Sequence, residues 1–150
     1  MRILVPMVTL ADEMVQVRSR LEAVANGAGL DRLPPLGAMI ETPAAALSVA
    51  EIKAHADFLS IGTNDLTQYT MAAGRENPLV NDYFQADHPA VLRLLRIIVE
   101  EAGPVPVALC GELARQLSAL PALLKLGLRT LSVAPPLVPG VKEAIRQIAL

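Results

Sequence analysis

Short aliphatic runs alternate with segments of helical periodicity along the whole chain, and that alternation constrains the fold more than any other feature. The runs are Ile3–Val8, Gly37–Ile40, Phe58–Ile61, Val105–Leu109 and Leu131–Val133. Each is too short for a helix and apolar at successive positions, as expected of a strand buried on both faces of a parallel sheet. Between them the period changes. Met14, Val17, Leu21 and Val24 share one face of a helix over Ala11–Ala25, which Asn26-Gly27 stops. A second helix starts at Thr42-Pro43, an N-cap followed by a first-turn proline. A third covers Pro89–Ala102, with Val91, Leu95 and Ile98 facing inward. A short helix over Ala119–Leu126 ends at Gly127, and the last begins near Pro139 and continues towards Leu150.

The order is strand, helix, strand, without a linker or low-complexity tract, so the class is α/β. Two architectures compete, an open doubly wound sheet and a (β/α)8 barrel. Five strands suffice for the first. A barrel needs eight strands and about 250 residues, and the chain has 150. Length therefore favours the open sheet. With 53% hydrophobic but only 3% aromatic residues, the core is aliphatic.

Several partner classes are disfavoured. The net charge is -2 and no basic stripe is interleaved with aromatics, which argues against nucleic acid. No apolar run is long enough to span a membrane. The opening MRILVPMVTLADEM turns acidic too early for a secretory signal. The single cysteine, Cys110, excludes an internal disulfide and fits a reducing, cytoplasmic setting.

The polar residues favour the barrel. The run GAMI ends at Glu41, FLSI ends in Gly62-Thr63-Asn64-Asp65, and VPVAL ends in Cys110-Gly111-Glu112. In a barrel the carboxyl ends of all strands converge on one mouth; in an open sheet they line a crevice. Either way Glu41, Asp65 and Cys110 can share one space. Paired carboxylates repel unless a proton or cation lies between them, and two carboxylates completed by water and phosphate form a common magnesium arrangement. The plainer alternative is that both acids cap the helices that follow. Asn64 beside Asp65, after a glycine that lets a ligand approach the backbone, shifts the balance towards a site. Arg75, just past Gly74, can fork onto a phosphate or simply be solvated. Cys110 is otherwise a packed core residue. His55 and His88 read as structural, the second at the start of a helix.

With these residues in hand, the chain resembles the C-terminal, phosphoenolpyruvate-binding domain of Enzyme I of the bacterial phosphotransferase system. It also resembles the matching domain of pyruvate phosphate dikinase and phosphoenolpyruvate synthase. The resemblance is carried by VPMV (Val5–Val8), MIETPAAAL (Met39–Leu47), DFLSIGTNDLTQYTMAAGR (Asp57–Arg75), HPAVLRLL (His88–Leu95) and CGELA (Cys110–Ala114). The long central motif is highly specific; ETP or CGE alone is weak. The tyrosine of TQYT and the HPAVLRLL segment look more like Enzyme I than the dikinase.

The resemblance implies a partial (β/α)8 barrel over residues 1–150, corresponding to the family's strands four to eight, which reverses the preference drawn from length. The first three strands, the phosphohistidine domain and the carrier-binding domain would then lie outside this chain. By the same resemblance Glu41 and Asp65 are magnesium ligands, with manganese an alternative ion. Asn64 and Arg75 hold the phosphate, and the Gly62-Thr63-Asn64 backbone receives the substrate carboxylate. Cys110 exchanges a proton with the substrate's methylene carbon. The implied parent transfers phosphoryl from phosphoenolpyruvate to a histidine on another domain, releases pyruvate, serves a phosphocarrier protein in sugar transport, and is a homodimer or higher homo-oligomer. Dikinase or synthase membership, or a ligand-binding regulatory module without turnover, are the alternatives. The chain departs from the family pattern at Arg115-Gln116-Leu117-Ser118, Arg129-Thr130, Gly74 and Ser132-Val133-Ala134, close to the mouth and to subunit contacts.

Overall fold

A computed structural model describes residues 1–148. Five parallel strands form one sheet: β1 (Ile3–Val5), β2 (Leu36–Ile40), β3 (Phe58–Gly62), β4 (Val107–Cys110) and β5 (Thr130–Leu131). Their spatial order is their chain order, β1-β2-β3-β4-β5. That order decides between the two architectures. A doubly wound sheet reverses direction at a switch point and carries helices on both faces. Here every crossover advances one strand the same way, and the right-handed rule then keeps all crossover helices on one side. The fold is α/β, a partial (β/α)8 barrel.

The helices are α1 (Ala11–Gly27), α2 (Pro43–Leu47), α3 (Val49–Ile52), α4 (Thr63–Met71), α5 (Pro89–Ala102), α6 (Leu120–Lys125) and α7 (Val138–Arg146). Residues paired in register share a face of the sheet. The row Ile40, Ile61, Leu109 and Leu131 joins Leu36, Ala38 and Leu59 in the main core, packed on Met14, Val49, Ile52, Leu95, Ile98 and Leu123 from the helices. The opposite face carries the alternate positions, among them the row Met39, Ser60, Ala108 and Thr130. At the foot of that face the Phe58 ring lies across Gly37, whose missing Cβ leaves it room, and the Arg2 guanidinium stacks 5.3 Å from the ring centroid.

The differences from the sequence-based elements have physical causes. β1 stops at Val5 rather than Val8. Pro6 brings no N–H to the ladder, and Met7 turns into the left-handed region at φ 56°. Residues at the carboxyl edge shift by one or two, with β4 including Cys110 and β5 ending at Leu131. On α1 the buried residue near the carboxyl end is Ala25, while Val24 is 67% exposed. Ala25 lies eleven positions after Met14, about three full turns, whereas Val24 falls about a quarter-turn off that line. The helix after Thr42 divides at Ser48 into α2 and α3. The last helix runs Val138–Arg146, with Gln147 as its C-cap, and so stops short of the expected continuation towards Leu150; residues 149–150 lie outside the described residues.

The starts of the helices follow from local chemistry. Glu13 Oε2 accepts from the Thr9 and Leu10 N–H groups at 2.7 and 2.8 Å, satisfying donors at the start of α1, and these two bonds hold the Glu13 carboxyl below its usual pKa. His88 Nδ1 accepts from the Ala90 N–H at 3.2 Å and Pro89 opens α5, in keeping with a structural histidine. On α5, Val91, Leu95, Ile98 and Ala102 are buried.

Candidate functional site

The element the sequence-based reading omitted carries the site. α4 begins at Thr63, directly after β3, with Gly62 as its N-cap. Thr, Asn and Asp favour turns over helix interiors, because their side chains compete for the backbone. At a helix start that competition becomes an advantage. The first-turn N–H groups of α4 have no acceptor within the helix and carry its positive dipole end.

Glu41 leaves β2 on the face away from the helices and is 4% exposed. It does not cap α2. That task falls to Thr42, whose Oγ1 accepts from the Ala45 N–H at 3.1 Å. Glu41 Oε1 accepts from the Met7 N–H at 2.7 Å, so the early end of β1 is what ties this carboxylate down. Glu41 also lies against Gly62; a Cβ there would stand 2.9 Å from the Glu41 Cβ. Burial raises the Glu41 pKa, the Met7 N–H opposes the rise, and the facing Asp65 carboxylate adds to it. Asp65 lies in the first turn of α4, where its charge also suits the helix dipole.

Glu41 and Asp65 are therefore brought together. Among the described residues no group of three or more His, Cys, Asp or Glu gathers as a metal-binding set. Two oxygen-bearing side chains, one with an oxygen already fixed by a backbone N–H, fit a hard divalent ion whose remaining positions go to water and a substrate anion.

The thiol lies across the β3–β4 ladder. Cys110 pairs in register with Gly62, so both lie on the open face. Its Sγ donates to the Ile61 carbonyl at 3.3 Å, and Ser60 Oγ lies 3.7 Å from the sulfur as a donor. Thr63 Oγ1 donates to the Cys110 carbonyl at 2.9 Å. Asn64 Oδ1 accepts from the Glu112 N–H at 2.8 Å. That bond fixes the orientation of the Asn64 amide and leaves its two N–H donors for a ligand.

Arg75 stands apart. It is exposed in the loop beyond α4 and has no ion pair or side-chain hydrogen bond among the described residues. The divergent arginines have structural uses. Arg129 donates to the Leu124 and Leu128 carbonyls at 2.7 and 2.9 Å, near the end of α6. Arg115 lies 3.6 Å from Glu112 in an exposed pair. Sequence reasoning did not anticipate the parts of Met7, Ser60 and the Thr63 side chain. Pro6 was the available signal for the first, since it forecasts an early strand end.

Fold and geometry together define a barrel-type domain that gathers two facing carboxylates, an amide and a thiol at the carboxyl ends of its parallel strands. The family model described as "PEP-utilising enzyme, PEP-binding domain" matches residues 1–150, and the chain belongs to that family. It is 40% identical to the phosphoenolpyruvate-protein phosphotransferase of Mycoplasma genitalium, over 99% of this chain and 26% of that protein. Identity to the protein of that name in Cupriavidus necator is 42%, over 96% of this chain and 26% of that one. A multiphosphoryl transfer protein of Xanthomonas campestris pv. campestris is 40% identical, with 99% of this chain and 18% of that protein covered. The chain thus spans about a quarter or less of the curated relatives it matches. Among solved structures, a citrate lyase from Burkholderia xenovorans LB400 superposes with a TM-score of 0.75 at 19% identity, covering 95% of this chain and 48% of that one. An HpcH/HpaI aldolase from Desulfitobacterium hafniense DCB-2 gives 0.58 at 16%, covering 97% and 64%. These two support the fold alone. No helix among the described residues is long and apolar enough to cross a membrane.

Proposed function

We propose that residues 1–150 are the C-terminal part of a phosphoenolpyruvate-protein phosphotransferase. In this reading the domain binds phosphoenolpyruvate, its phosphoryl group passes to a histidine on another domain and then to a phosphocarrier protein for sugar uptake, and pyruvate is released. The observation that carries the reading is the facing pair Glu41 and Asp65, set beside the Asn64 amide, with Gly62 packed on Glu41 and paired in register with Cys110. Relatives named phosphotransferases, at 35–42% identity, supply the reaction class.

Glu41 and Asp65 would hold magnesium, with manganese able to substitute. When bound, the ion neutralises charge on the phosphate and enolate oxygens. The Asn64 N–H donors and Arg75 bind phosphate oxygens. The Gly62-Thr63-Asn64 backbone receives the substrate carboxylate, helped by the positive end of α4. Burial of Glu41 limits water on its side of the site. Loss of the phosphoryl group leaves an enolate, and Cys110 gives its thiol proton to the methylene carbon, forming pyruvate. The working protein is cytoplasmic and a homodimer or higher homo-oligomer. The test is to incubate the full-length protein with magnesium and phosphoenolpyruvate labelled in its phosphoryl group. An acid-labile phosphohistidine and one pyruvate per phosphoryl transferred are expected. Labelled phosphoenolpyruvate recovered intact from a folded, magnesium-loaded protein would refute the assignment.

A further inference from the structure

We infer that Thr63 is a positioning residue for the Cys110 thiol, and that the β3–α4 junction and the loop after β4 move as one unit. The inference rests on the proposed reading of the site, but its geometry is independent of the substrate. Three hydrogen bonds cross from Ile61–Asn64 to Cys110–Glu112. The Cys110 Sγ donates to the Ile61 carbonyl at 3.3 Å, Thr63 Oγ1 donates to the Cys110 carbonyl at 2.9 Å, and the Glu112 N–H donates to Asn64 Oδ1 at 2.8 Å. Thr63 is fully buried. Its hydroxyl therefore faces the neighbouring strand rather than a ligand.

Gly111 makes this approach possible. It sits at φ 98°, and a Cβ there would fall 2.9 Å from Asn64 Oδ1 and 3.2 Å from the Thr63 nitrogen, as well as against Thr63 Oγ1. The tip of the β4 loop is thus packed directly onto the first residues of α4. The consequence is chemical. The amide that binds phosphate and the thiol that protonates carbon lie 46 positions apart in sequence, from Asn64 to Cys110. The cross-bonds make their separation a property of one rigid patch. Proton delivery depends on such placement, since small displacements of a donor forfeit large factors in rate.

Thr63→Val keeps the branched shape and removes the donor, Thr63→Ser keeps the donor and removes the methyl, and Thr63→Ala serves if the valine variant does not fold. The readout is alkylation of Cys110 by iodoacetamide in the full-length protein, followed across pH by mass spectrometry of the Cys110 peptide, with thermal melting as the control for folding. Loss of one hydrogen bond should raise the alkylation rate about three- to tenfold across the pH range, and Thr63→Ser should restore it. Pyruvate formation should fall in kcat with KM nearly unchanged. Wild-type alkylation in both donor-deleted variants would overturn the inference, as would Thr63→Ser behaving like Thr63→Val. Altered alkylation with unaltered pyruvate formation would leave the positioning intact and remove Cys110 from the proposed reaction.

Discussion

The Glu112 N–H and the Asn64 Oδ1, 48 residues apart in sequence, meet at 2.8 Å and join the loop after β4 to the first turn of α4. Next to that bond, Gly111 has φ 98° and no space for a side chain. Gly111→Ala should therefore cost about 1–3 kcal/mol from the backbone conformation alone, with the clash against Thr63 and Asn64 added. Chemical denaturation of the variant measures it. A loss within about 0.5 kcal/mol, the range of an unremarkable surface change, would contradict the close packing described.

Glu41 gives a pH prediction. Its pKa is raised above the ordinary 4.5, first by burial and then by Asp65, against the pull of the Met7 N–H. A carboxyl raised on folding favours the protonated native state. Its contribution is fully present below the unfolded pKa and is lost as pH rises through the folded value. In metal-free protein Glu41→Gln should thus raise the melting temperature at neutral pH, and the advantage should vanish below the ordinary carboxyl range. A variant less stable than wild type at pH 7 without metal would show that the carboxylate is already compensated.

Much of this arrangement was legible in the residues. The aliphatic runs marked all five strands, because a strand buried on both faces leaves no room for polar positions. Glu41, Asp65 and Cys110 stood out as ionisable groups directly after such runs. Two features were hidden. α4 was missed because Thr63, Asn64 and Asp65 favour turns locally, and only the helix-start position turns that preference to use. The second, the choice between open sheet and barrel sector, was hidden only from periodicity and length, and length pointed the wrong way; the polar strand ends and the motifs of the family resemblance pointed to the barrel sector, in agreement with the strand order. The Thr63 bond to Cys110 joins residues whose adjacency exists only in the β3–β4 register.

Thr67, one turn beyond Thr63 on α4, is fully buried with no hydrogen-bond partner for its hydroxyl. A buried hydroxyl without a partner costs about 1–3 kcal/mol. Thr67→Val, which keeps the shape, should be neutral or stabilising by up to that amount in denaturant titration. A destabilisation above about 1 kcal/mol would show that the hydroxyl is satisfied in solution.

The sheet has two open edges, at β1 and β5, and a face on which Leu4, Met39 and Phe58 are only partly buried. Each large side chain left wet forfeits about 1.5–3 kcal/mol of burial, and unpaired edges recruit partners. The isolated 150-residue chain should therefore associate. Sedimentation across a dilution series checks this; a compact monomer at low micromolar concentration with a concentration-independent melt would contradict it.

The central claim is that Glu41 and Asp65 together hold the ion that makes phosphoenolpyruvate reactive. The most direct test is the rate of pyruvate formation by the full-length protein with saturating magnesium, compared among wild type, Glu41→Gln and Asp65→Asn at equal folded fraction. Each substitution removes a charge at the ion, whose stabilisation of transferring phosphoryl is several kcal/mol, so each should slow turnover by about a hundredfold or more. Turnover within a few-fold of wild type in both variants would contradict the account.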